Sequence, residues 1–470
     1  MKKIITTVLL FLALTGIKAQ TIIYVSSSAT GTNNGTSWTN AYPKLYNALL
    51  SAPYNSQIWV KQGTYYPTSL NPQLEYNRGT TLQLKNGVSI YGGFAGTETI
   101  LMQRDWKKNI TILSGDIGIP NNKFDNASRI ISNVNLDNTA ILDGFTITGA
   151  YSINNYPIYP DGGGMYNDQS SPTLRNLIFS ANEVFGYGGG MANGKVIGTA
   201  ATCNPVMTNV IFENNKATNG GGIYNSNSNP TIKNAIFVNN FALQSGGAIS
   251  NYNCGSVVYL NATIHGNTAN VGGGISNDGN ASGVSSPTFS NCIVWANSAP
   301  TNSQIYNGPT SDPSISNCNI QGGFSGPNNM NADPKFVLPG TYKGLDGYYF
   351  TSDDGLTIKN TSPCLDAGES IFLAPEPTDI QGFQRNTVYD IGAYEARIIT
   401  SQSSGNWENI TTWLNSIIPT KNEYAIVNQG HTVTVNSTTQ YPNTTADVAK
   451  EVTVKGTLKL NATSKVNLGY

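Results

Sequence analysis

The sequence of 470 residues carries little charge. Asp, Glu, Lys and Arg make up 11% of it, where an average soluble protein has roughly 25%. The 26 basic side chains nearly balance the 27 acidic ones, and no basic run stands out. Such a chain lacks the electrostatic footprint that attracts nucleic acids or anionic membrane surfaces. We therefore expect neither as a partner.

The sequence also has few residues suited to long helices. It contains 49 Gly and 22 Pro, and about one residue in eight is Asn. Gly and Asn favour turns and left-handed backbone positions, and Pro interrupts helices. These residues indicate a chain made mostly of β-strands and turns.

Hydrophobic runs are scarce after the first twenty residues. Lys2 and Lys3 precede an apolar run over residues 4–17, and Ala19 offers a small residue for cleavage. This pattern is typical of an export signal, which we place at residues 1–19; the alternatives are a buried strand or an uncleaved anchor. No later stretch is long enough to span a membrane as a helix. We expect a secreted or cell-surface protein without a transmembrane helix.

Cysteine is rare as well. Five cysteines in an exported chain of this length do not make a disulfide framework, and their odd number leaves at least one unpaired unless it bridges to another chain. Cys292 and Cys318 both follow an Asn and lie 26 residues apart. We interpret the cysteines as small buried side chains.

What the sequence does contain is a repeat. Strings of the form GG-small-apolar-x-N begin at Gly162, Gly188, Gly220, Gly246 and Gly272, at intervals of 26, 32, 26 and 26 residues. A second string, N-x-x-apolar-x-x-N, follows each of them and ends at Asn182, Asn215, Asn240, Asn267 and Asn297. The two strings keep step over five copies, which indicates one structural unit per repeat.

This period predicts an all-β, right-handed parallel β-helix of roughly a dozen coils, with about three short strands in each coil. We place an N-terminal cap and the first coils at residues 20–85 and the β-helix at 86–396. Within the β-helix the repeats cover 162–323, and a C-terminal capping motif covers 362–396. Residues 397–470 change character and predict a partial second β module.

Stacked coils bring equivalent residues into columns about 4.8 Å apart. Phe179, Phe212 and Phe237 then form an inward column. Asn182, Asn215, Asn240, Asn267 and Asn297 form a structural ladder, in which each amide donates to one neighbour and accepts from the other. Asn also tolerates left-handed dihedral angles, which suits it to corner positions of the coils.

The same strings resemble the polymorphic outer membrane protein repeats, which carry paired GGAI and FxxN motifs. GGAI occurs at Gly246 to Ile249, and FSAN, FENN and FVNN begin at Phe179, Phe212 and Phe237. The match covers residues 160–325.

Flanking motifs extend the resemblance to residues 21–396. The upstream motif LDGFTITG, at 142–149, is similar to the first coils of secreted β-helix proteins of Bacteroidetes. The downstream motifs SPCLDAG (362–368) and DIGAYE (390–395) resemble the end of a choice-of-anchor Q domain. The resemblance implies an exported or cell-surface β-helix with adhesin-like roles.

One column is a candidate for carbohydrate binding. The residue after the inward apolar position of each GGG string points outward, and this position holds Tyr166, Tyr224 and Tyr306. Exposed rings about two coils apart would stack on sugar rings. The alternative is that Tyr is simply a favoured strand residue.

An acidic loop is a candidate calcium site. Asp346, Asp353 and Asp354 lie in one Gly-bounded segment, and Ca²⁺ prefers several carboxylate and carbonyl oxygens. The alternative is a polar turn held by hydrogen bonds. We expect no other cofactor.

The C-terminal motif places several carboxylates close to one arginine. Asp379, Asp390 and Glu395 surround Arg385 in the sequence. A buried ion pair there would form a C-terminal cap that seals the open edge of the last coil.

Taken together, these patterns predict an exported structural or adhesin-like β-helix, expected as a monomer, that binds a glycan or another cell-surface ligand along the coil flank. The alternative is a polysaccharide lyase or glycoside hydrolase. We lean against an enzyme because glycoside hydrolysis needs two carboxylates about 5–9 Å apart. Asp168 and Asp278 share a repeat position but lie four coils apart, roughly 19 Å.

Overall fold

A computed structural model describes residues 20–68, 77–152, 161–194, 203–280, 283–370, 378–414, 419, 424–435 and 451–460. The structure is all-β with 4% helix, and it winds into a parallel β-solenoid of about 11 turns. This confirms the predicted all-β parallel β-helix. Within the described ranges, no helix has the length and apolar character needed to cross a membrane.

The strands are numbered along the chain. The first fourteen are β1 (Thr21–Val25), β2 (Ser56–Lys61), β3 (Gly63–Tyr65), β4 (Val88–Phe94), β5 (Thr111–Ser114), β6 (Ile131–Val134), β7 (Ile141–Thr148), β8 (Tyr151–Ser152), β9 (Met165–Asp168), β10 (Thr173–Ser180), β11 (Glu183–Val184), β12 (Met191–Asn193), β13 (Val206–Glu213) and β14 (Lys216–Asn219). The next eleven are β15 (Ile223–Ser226), β16 (Thr231–Val238), β17 (Phe241–Ser245), β18 (Ile249–Tyr252), β19 (Val258–His265), β20 (Ile275–Asp278), β21 (Thr288–Ser290), β22 (Ile293–Trp295), β23 (Ile305–Asn307), β24 (Ser314–Ser316) and β25 (Asn319–Ile320). The last six are β26 (Ile398–Thr400), β27 (Gly405–Asn406), β28 (Tyr424–Val427), β29 (Thr432–Val435), β30 (Glu451–Val454) and β31 (Thr457–Leu460).

Three sheets run along the solenoid. The main sheet follows the order β1, β2, β4, β7, β10, β13, β16, β19, β21 and β24, with β3, β5, β22 and β25 beside it. The second sheet runs from β6 through β9, β12, β15, β18 and β20 to β23, and the third contains β8, β11, β14 and β17. Helix α1 (Leu45–Ser51) packs against β1 and β2 through Leu45, Ala48 and Leu49. Short 3-10 turns lie at Leu101–Gln103, Lys123–Asp125 and Ile410–Thr412.

The interior is built from columns of like residues. Phe179, Phe212 and Phe237 are in register on β10, β13 and β16, and their rings stack at centroid distances of 4.9 Å. Each ring is fully buried, which stabilises the fold by roughly 1.5–3 kcal/mol per side chain. The five cysteines are buried and unpaired, and Cys292 and Cys318 are neighbours in one column, with the Cys292 N–H 3.3 Å from Cys318 Sγ.

The predicted Asn residues form a hydrogen-bonded column, here called the inner ladder (Asn182, Asn215, Asn240, Asn267 and Asn297). Each Nδ2 donates to the next Oδ1 over 2.9–3.0 Å. A second Nδ2 hydrogen goes to a backbone carbonyl, such as that of Phe212 for Asn240. Each amide is therefore saturated in an interior that contains no substitute partner.

Asn residues also occupy left-handed corners, at positions outside the inner ladder. They form an outer ladder of Asn176, Asn209, Asn234, Asn261 and Asn291, with φ between 50° and 56°. Here each Nδ2 donates toward the N-terminal end, and the ladder ends when Asn176 donates to Asp143 Oδ1 over 2.8 Å. A third ladder, not predicted as such, joins Asn133, Asn167, Asn193, Asn225, Asn251, Asn277 and Asn307 over 2.8–2.9 Å.

The glycine triplets are needed for close backbone approach. Gly162 has φ 65°, and a Cβ there would lie 2.2 Å from the Met165 carbonyl oxygen. At Gly164 a Cβ would lie 2.5 Å from the carbonyl oxygen of Gly190, in the next coil. A side chain at either position would push the coils apart.

The C-terminal segment (330–370 and 378–396), here called the arm, lies on the outer face of the main sheet. Its apolar residues, including Phe336, Tyr349 and Tyr394, pack against outward residues of the strands such as Ile211 and Ile236. The predicted cap residue Arg385 lies on this flank, where it contacts Asn234, and not over the open edge of the last coil. That edge is paired by the first residue of the arm, where the Ile320 N–H donates to the Met330 carbonyl.

The second module is itself a short parallel solenoid. Strands β26, β28 and β30 form one sheet, and β27, β29 and β31 form the other. Trp407 and Trp413 fill its core at a centroid distance of 4.7 Å. It contacts the arm where the Tyr424 hydroxyl donates to the Ile358 carbonyl over 3.1 Å.

Candidate functional site

One column of outward positions lies at the ends of the main-sheet strands. The strand registers align Thr148, Ser180, Glu213, Val238, His265 and Trp295 in this order. Neighbours in the column are about 4.8 Å apart along the solenoid. The interior residue just before each of them is Phe, Ile or Val, whereas the outward residue changes from coil to coil. The column is therefore free to carry chemistry that the fold does not dictate.

The arm crosses this column and closes a cavity of about 230 Å³. We call it the arm cleft. Its walls are Trp106, Thr146, Asn176, Ser180, Glu213, Lys343, Tyr348, Tyr349 and Phe350, together with neighbouring backbone. The cleft thus joins residues of the early coils, the repeats and the arm.

Glu213 is the polar centre of the arm cleft. Its carboxylate is buried and lies 2.8 Å from Lys343 Nζ. It also accepts from Ser180 Oγ over 2.9 Å and from the Tyr349 hydroxyl over 3.0 Å. Burial raises the pKa of Tyr349 well above its ordinary value, so its hydroxyl keeps its proton. The Lys343 side chain remains 42% exposed, so a ligand can reach its ammonium group.

Aromatic side chains line the mouth of the cleft. Trp106 is half-buried, and its ring meets the edge of Phe350 at 4.7 Å. Tyr348 is 56% exposed. Lys107 Nζ lies 5.5 Å from the centre of the Trp106 ring and donates to the Gln381 carbonyl; burial lowers its pKa. Ring faces beside hydrogen-bonding groups suit ligands with both apolar and hydroxyl-bearing surfaces.

Farther along the column, His265 is held by the arm. Its Nδ1 lies 3.0 Å from the Tyr342 hydroxyl, and its ring meets that of Phe336 edge-on at 5.4 Å. Burial lowers the pKa of His265 to about 4. The imidazole is therefore neutral at physiological pH.

The structure aligns the predicted tyrosine column but does not expose it as a binding surface. Tyr224 is only 7% exposed, because the Tyr187 ring stacks on it at 4.7 Å. Tyr166 is half-buried under the Arg129 guanidinium, 4.4 Å from its ring centre, and burial raises its pKa to about 12. Tyr306 is half-buried at the last strand of the second sheet. The strand alternation predicted the direction of these side chains, and Tyr187 and Arg129 cover the rings of Tyr224 and Tyr166.

The predicted calcium ligands do not converge. Asp353 Oδ2 accepts from the backbone N–H groups of Leu345 and Asp346. Asp354 is fully buried and accepts from the Tyr394 hydroxyl over 2.9 Å, while Asp346 accepts from the N–H of Tyr348. Within the described part of the chain, no three acidic, Cys or His side chains are grouped to hold a metal. The loop is the polar turn that was the alternative.

The predicted Arg385 cluster is present, and it is the part of the arm that contacts the outer ladder. Arg385 Nη1 is 3.1 Å from Glu395 Oε2, and both side chains are almost fully buried. Arg385 Nη2 donates to Asn234 Oδ1 of the outer ladder over 3.1 Å. Asp379 accepts the backbone N–H groups of Phe383 and Glu395, and Asp390 accepts those of Asp366 and Ala396. The cluster therefore fastens the arm to the flank of the coils.

Sequence reasoning missed Glu213, Lys343, Trp106 and Tyr348. Glu213 belongs to the FENN string, but the residue at its position varies between repeats and forms no motif. That variation was the available signal, since Ser180, Glu213 and His265 differ while the inward residues stay apolar. No motif in the sequence indicated which segment would return to these coils.

No protein-family model matches this chain, and no curated protein matches it in sequence. Among solved structures, the chain is similar to pectate lyase Pel9A, with 13% identity and a TM-score of 0.40 over 81% of this chain and 97% of that one. It is also similar to a rhamnogalacturonan lyase, with 11% identity and a TM-score of 0.36 over 72% and 97%. A third is pectin methylesterase PemA from Erwinia chrysanthemi, with 9% identity and a TM-score of 0.33 over 66% and 92%.

These neighbours are polysaccharide lyases and an esterase built on β-helices. At such low similarity they carry no conclusion about the chemistry of this chain. The resemblance to polymorphic outer membrane protein repeats stays a prediction.

Proposed function

We propose that this chain is an exported, cell-surface β-solenoid that binds carbohydrate in the arm cleft. The observation that carries the proposal is the meeting of Trp106 and Tyr348 with the Glu213–Lys343 pair in one cavity. Aromatic rings stack on the apolar faces of sugars, and charged or amide groups bind the hydroxyls. The basic, apolar segment at residues 1–19 supports export.

The position and construction of the cleft support binding. It lies on the outer flank of the coils, at the column that holds Ser180 and Glu213. The cleft is formed by packed strands and by an arm fastened through Arg385. A site built on rigid elements needs little reorganisation on binding, which favours affinity. Such a site supports the proposed adhesin-like role at the cell surface.

The rival function is a carbohydrate-active enzyme. Most glycosidases use two carboxylates flanking the bond that is cleaved. Among the described residues that line the cleft, Glu213 supplies one, and it is paired with Lys343. We therefore favour binding. Incubation with uronic-acid polymers and with neutral polysaccharides, followed by detection of unsaturated products or reducing ends, tests the rival directly.

A glycan array probed with the purified full chain tests the binding proposal. Tyr348→Ala removes a ring that is 56% exposed, and we expect it to weaken the binding of any glycan hit about tenfold. Lys343→Gln should weaken the same hits, because it removes the exposed ammonium group of the cleft. Tyr54→Ala is the matched control, since Tyr54 is 70% exposed on the N-terminal part of the solenoid.

The three variants distinguish the possible outcomes of the array. Hits that Tyr348→Ala and Lys343→Gln weaken and Tyr54→Ala leaves alone support the cleft. Hits that all three variants leave unchanged refute the cleft as the site, and a chain that binds no glycan refutes the proposed function.

A further inference from the structure

A second cavity lies on the same outward column, beyond the point where Tyr342 crosses it. Its volume is about 710 Å³, within the range of small-molecule sites. Its lining includes His265, Trp295, Asp333, Lys335, Phe336 and Lys359. Contacts of Tyr342 with His265 and Asn239 separate it from the arm cleft.

Two lysines face each other at this cavity. Phe336 and Ile358 form an antiparallel bridge, and Lys335 and Lys359 are the neighbouring pair, with the Lys359 N–H donating to the Lys335 carbonyl. Like charges directly opposite each other on neighbouring strands destabilise the pair, and an anion bound between them would relieve this repulsion. Lys335 Nζ donates to the Thr361 carbonyl over 2.9 Å. The structure shows no side-chain partner for the Lys359 ammonium within the described residues.

The other walls of the cavity neutralise only part of this charge. The Asp333 carboxylate accepts the backbone N–H of Lys335 over 2.9 Å, which holds it in its own turn. His265 is neutral and already bonded to Tyr342. The lining of this cavity therefore carries an excess of one positive charge. Trp295 is half-buried and presents an aromatic surface beside the lysines.

We infer that this cavity, here called the lysine pocket, is a second binding site that takes an anionic sugar unit, with Trp295 against the ring and Lys359 and Lys335 on the acidic group. A charge-assisted hydrogen bond from an ammonium group to a carboxylate or sulfate is about twice as strong as a neutral one. The ligands that fit this pocket share a pyranose ring that bears a carboxylate or sulfate group. The pocket is separate from the arm cleft and does not depend on it.

Isothermal titration calorimetry on the full chain tests the inference with four probes of known structure. They are a tetrasaccharide of uronic acid, its neutral methyl ester, a sulfated tetrasaccharide and a mononucleotide. We expect the acidic tetrasaccharides to bind more tightly than the methyl ester, and the uronate and sulfate arms identify which acid the pocket prefers. Lys359→Gln and Trp295→Ala should each weaken binding about tenfold. Lys216→Gln, which removes an exposed lysine of the third sheet, should change nothing.

Tyr348→Ala separates the two sites, because it alters only the arm cleft and should leave the anion-dependent binding in place. Equal affinity for the methyl ester and the acid would overturn the inference. So would unchanged binding in both Lys359→Gln and Trp295→Ala, or a mononucleotide that binds as tightly as the acidic sugars.

Discussion

Asn215 lies directly above Asn240, and its Nδ2 donates to Asn240 Oδ1 over 2.9 Å. The backbone N–H of Asn215 donates to the same oxygen over 3.1 Å. Two donors of Asn215 thus share one buried acceptor on a residue 25 positions later in the sequence. The stacking of coils depends on this exchange because the amides have no access to water.

Replacing one rung should be costly for stability. The Asn240 side chain accepts from Asn215 N and Nδ2 and donates to the Phe212 carbonyl and to Asn267 Oδ1. Asn240→Ala removes these four hydrogen bonds from a buried site, although the backbone N–H of residue 240 still donates to Asn267 Oδ1, so we expect a loss of roughly 3–5 kcal/mol in the free energy of unfolding. Chemical denaturation measures it. Asn270→Ala, at an exposed Asn with one hydrogen bond, should lose less than about 1 kcal/mol.

The phenylalanine column should tolerate a change in side-chain shape better than a loss of side-chain volume. Phe212 is fully buried between Phe179 and Phe237, so Phe212→Ala should cost about 3–5 kcal/mol. Phe212→Leu should cost less, since Ile264 occupies the same column two coils away. Thermal unfolding followed by circular dichroism compares them. A larger loss of stability in Phe241→Ala, at a ring that is 38% exposed, would contradict the phenylalanine column as the source of this stability.

Stability should fall as pH rises from about 4 to about 7. Burial raises the pKa of both Asp354 and Asp390 to about 7. Between the unfolded and folded pKa values the unfolded chain ionises while the folded chain keeps its protons, so the stability present at low pH is lost through this window. Asp354→Asn should flatten the dependence of the melting temperature on pH. The exposed Asp312→Asn should retain the full slope, and an unchanged slope in Asp354→Asn would refute this assignment.

The arm should come loose when its anchor is removed. Arg385 is fully buried, pairs with Glu395 and reaches Asn234 in the outer ladder. Arg385→Gln leaves the Glu395 carboxylate buried without its partner, which costs about 3–5 kcal/mol. We expect limited proteolysis to cut first within the arm while the repeats resist, as read by mass spectrometry. Arg175→Gln, at an exposed arginine of β10, is the control, and simultaneous digestion of arm and repeats would contradict a separable arm.

The fold was predictable because its contacts repeat. Equivalent positions such as Phe179 and Phe212 meet in the next coil, so one spacing fixes many contacts at once. The arm breaks this rule, since Arg385 and Asn234 are 151 residues apart and belong to no period. A hint was present in Ile211 and Ile236, which are apolar on the outward side and predict a sheet covered on both faces.

The candidate site was harder to predict for the same reason. Alternation along a strand correctly gives the direction of Tyr224, yet it says nothing about Tyr187, which covers it. The arm cleft and the lysine pocket both need the arm in place, because Lys343, Lys335 and Lys359 come from it. A rule that reads one strand at a time cannot find a site assembled from distant segments.

The carboxylate at the end of the outer ladder gives the solenoid a polarity. Asp143 also pairs with Arg104 at 2.7 Å, and an ionised carboxylate can only accept hydrogen bonds. Asn176 must therefore present its NH₂ group to Asp143, and every later amide is obliged to follow the same orientation. A whole coil can be inserted or removed without disturbing this sequence of orientations, whereas reversing a single amide breaks two bonds. The number of coils is thus open to change during evolution, and the direction of the ladder is not.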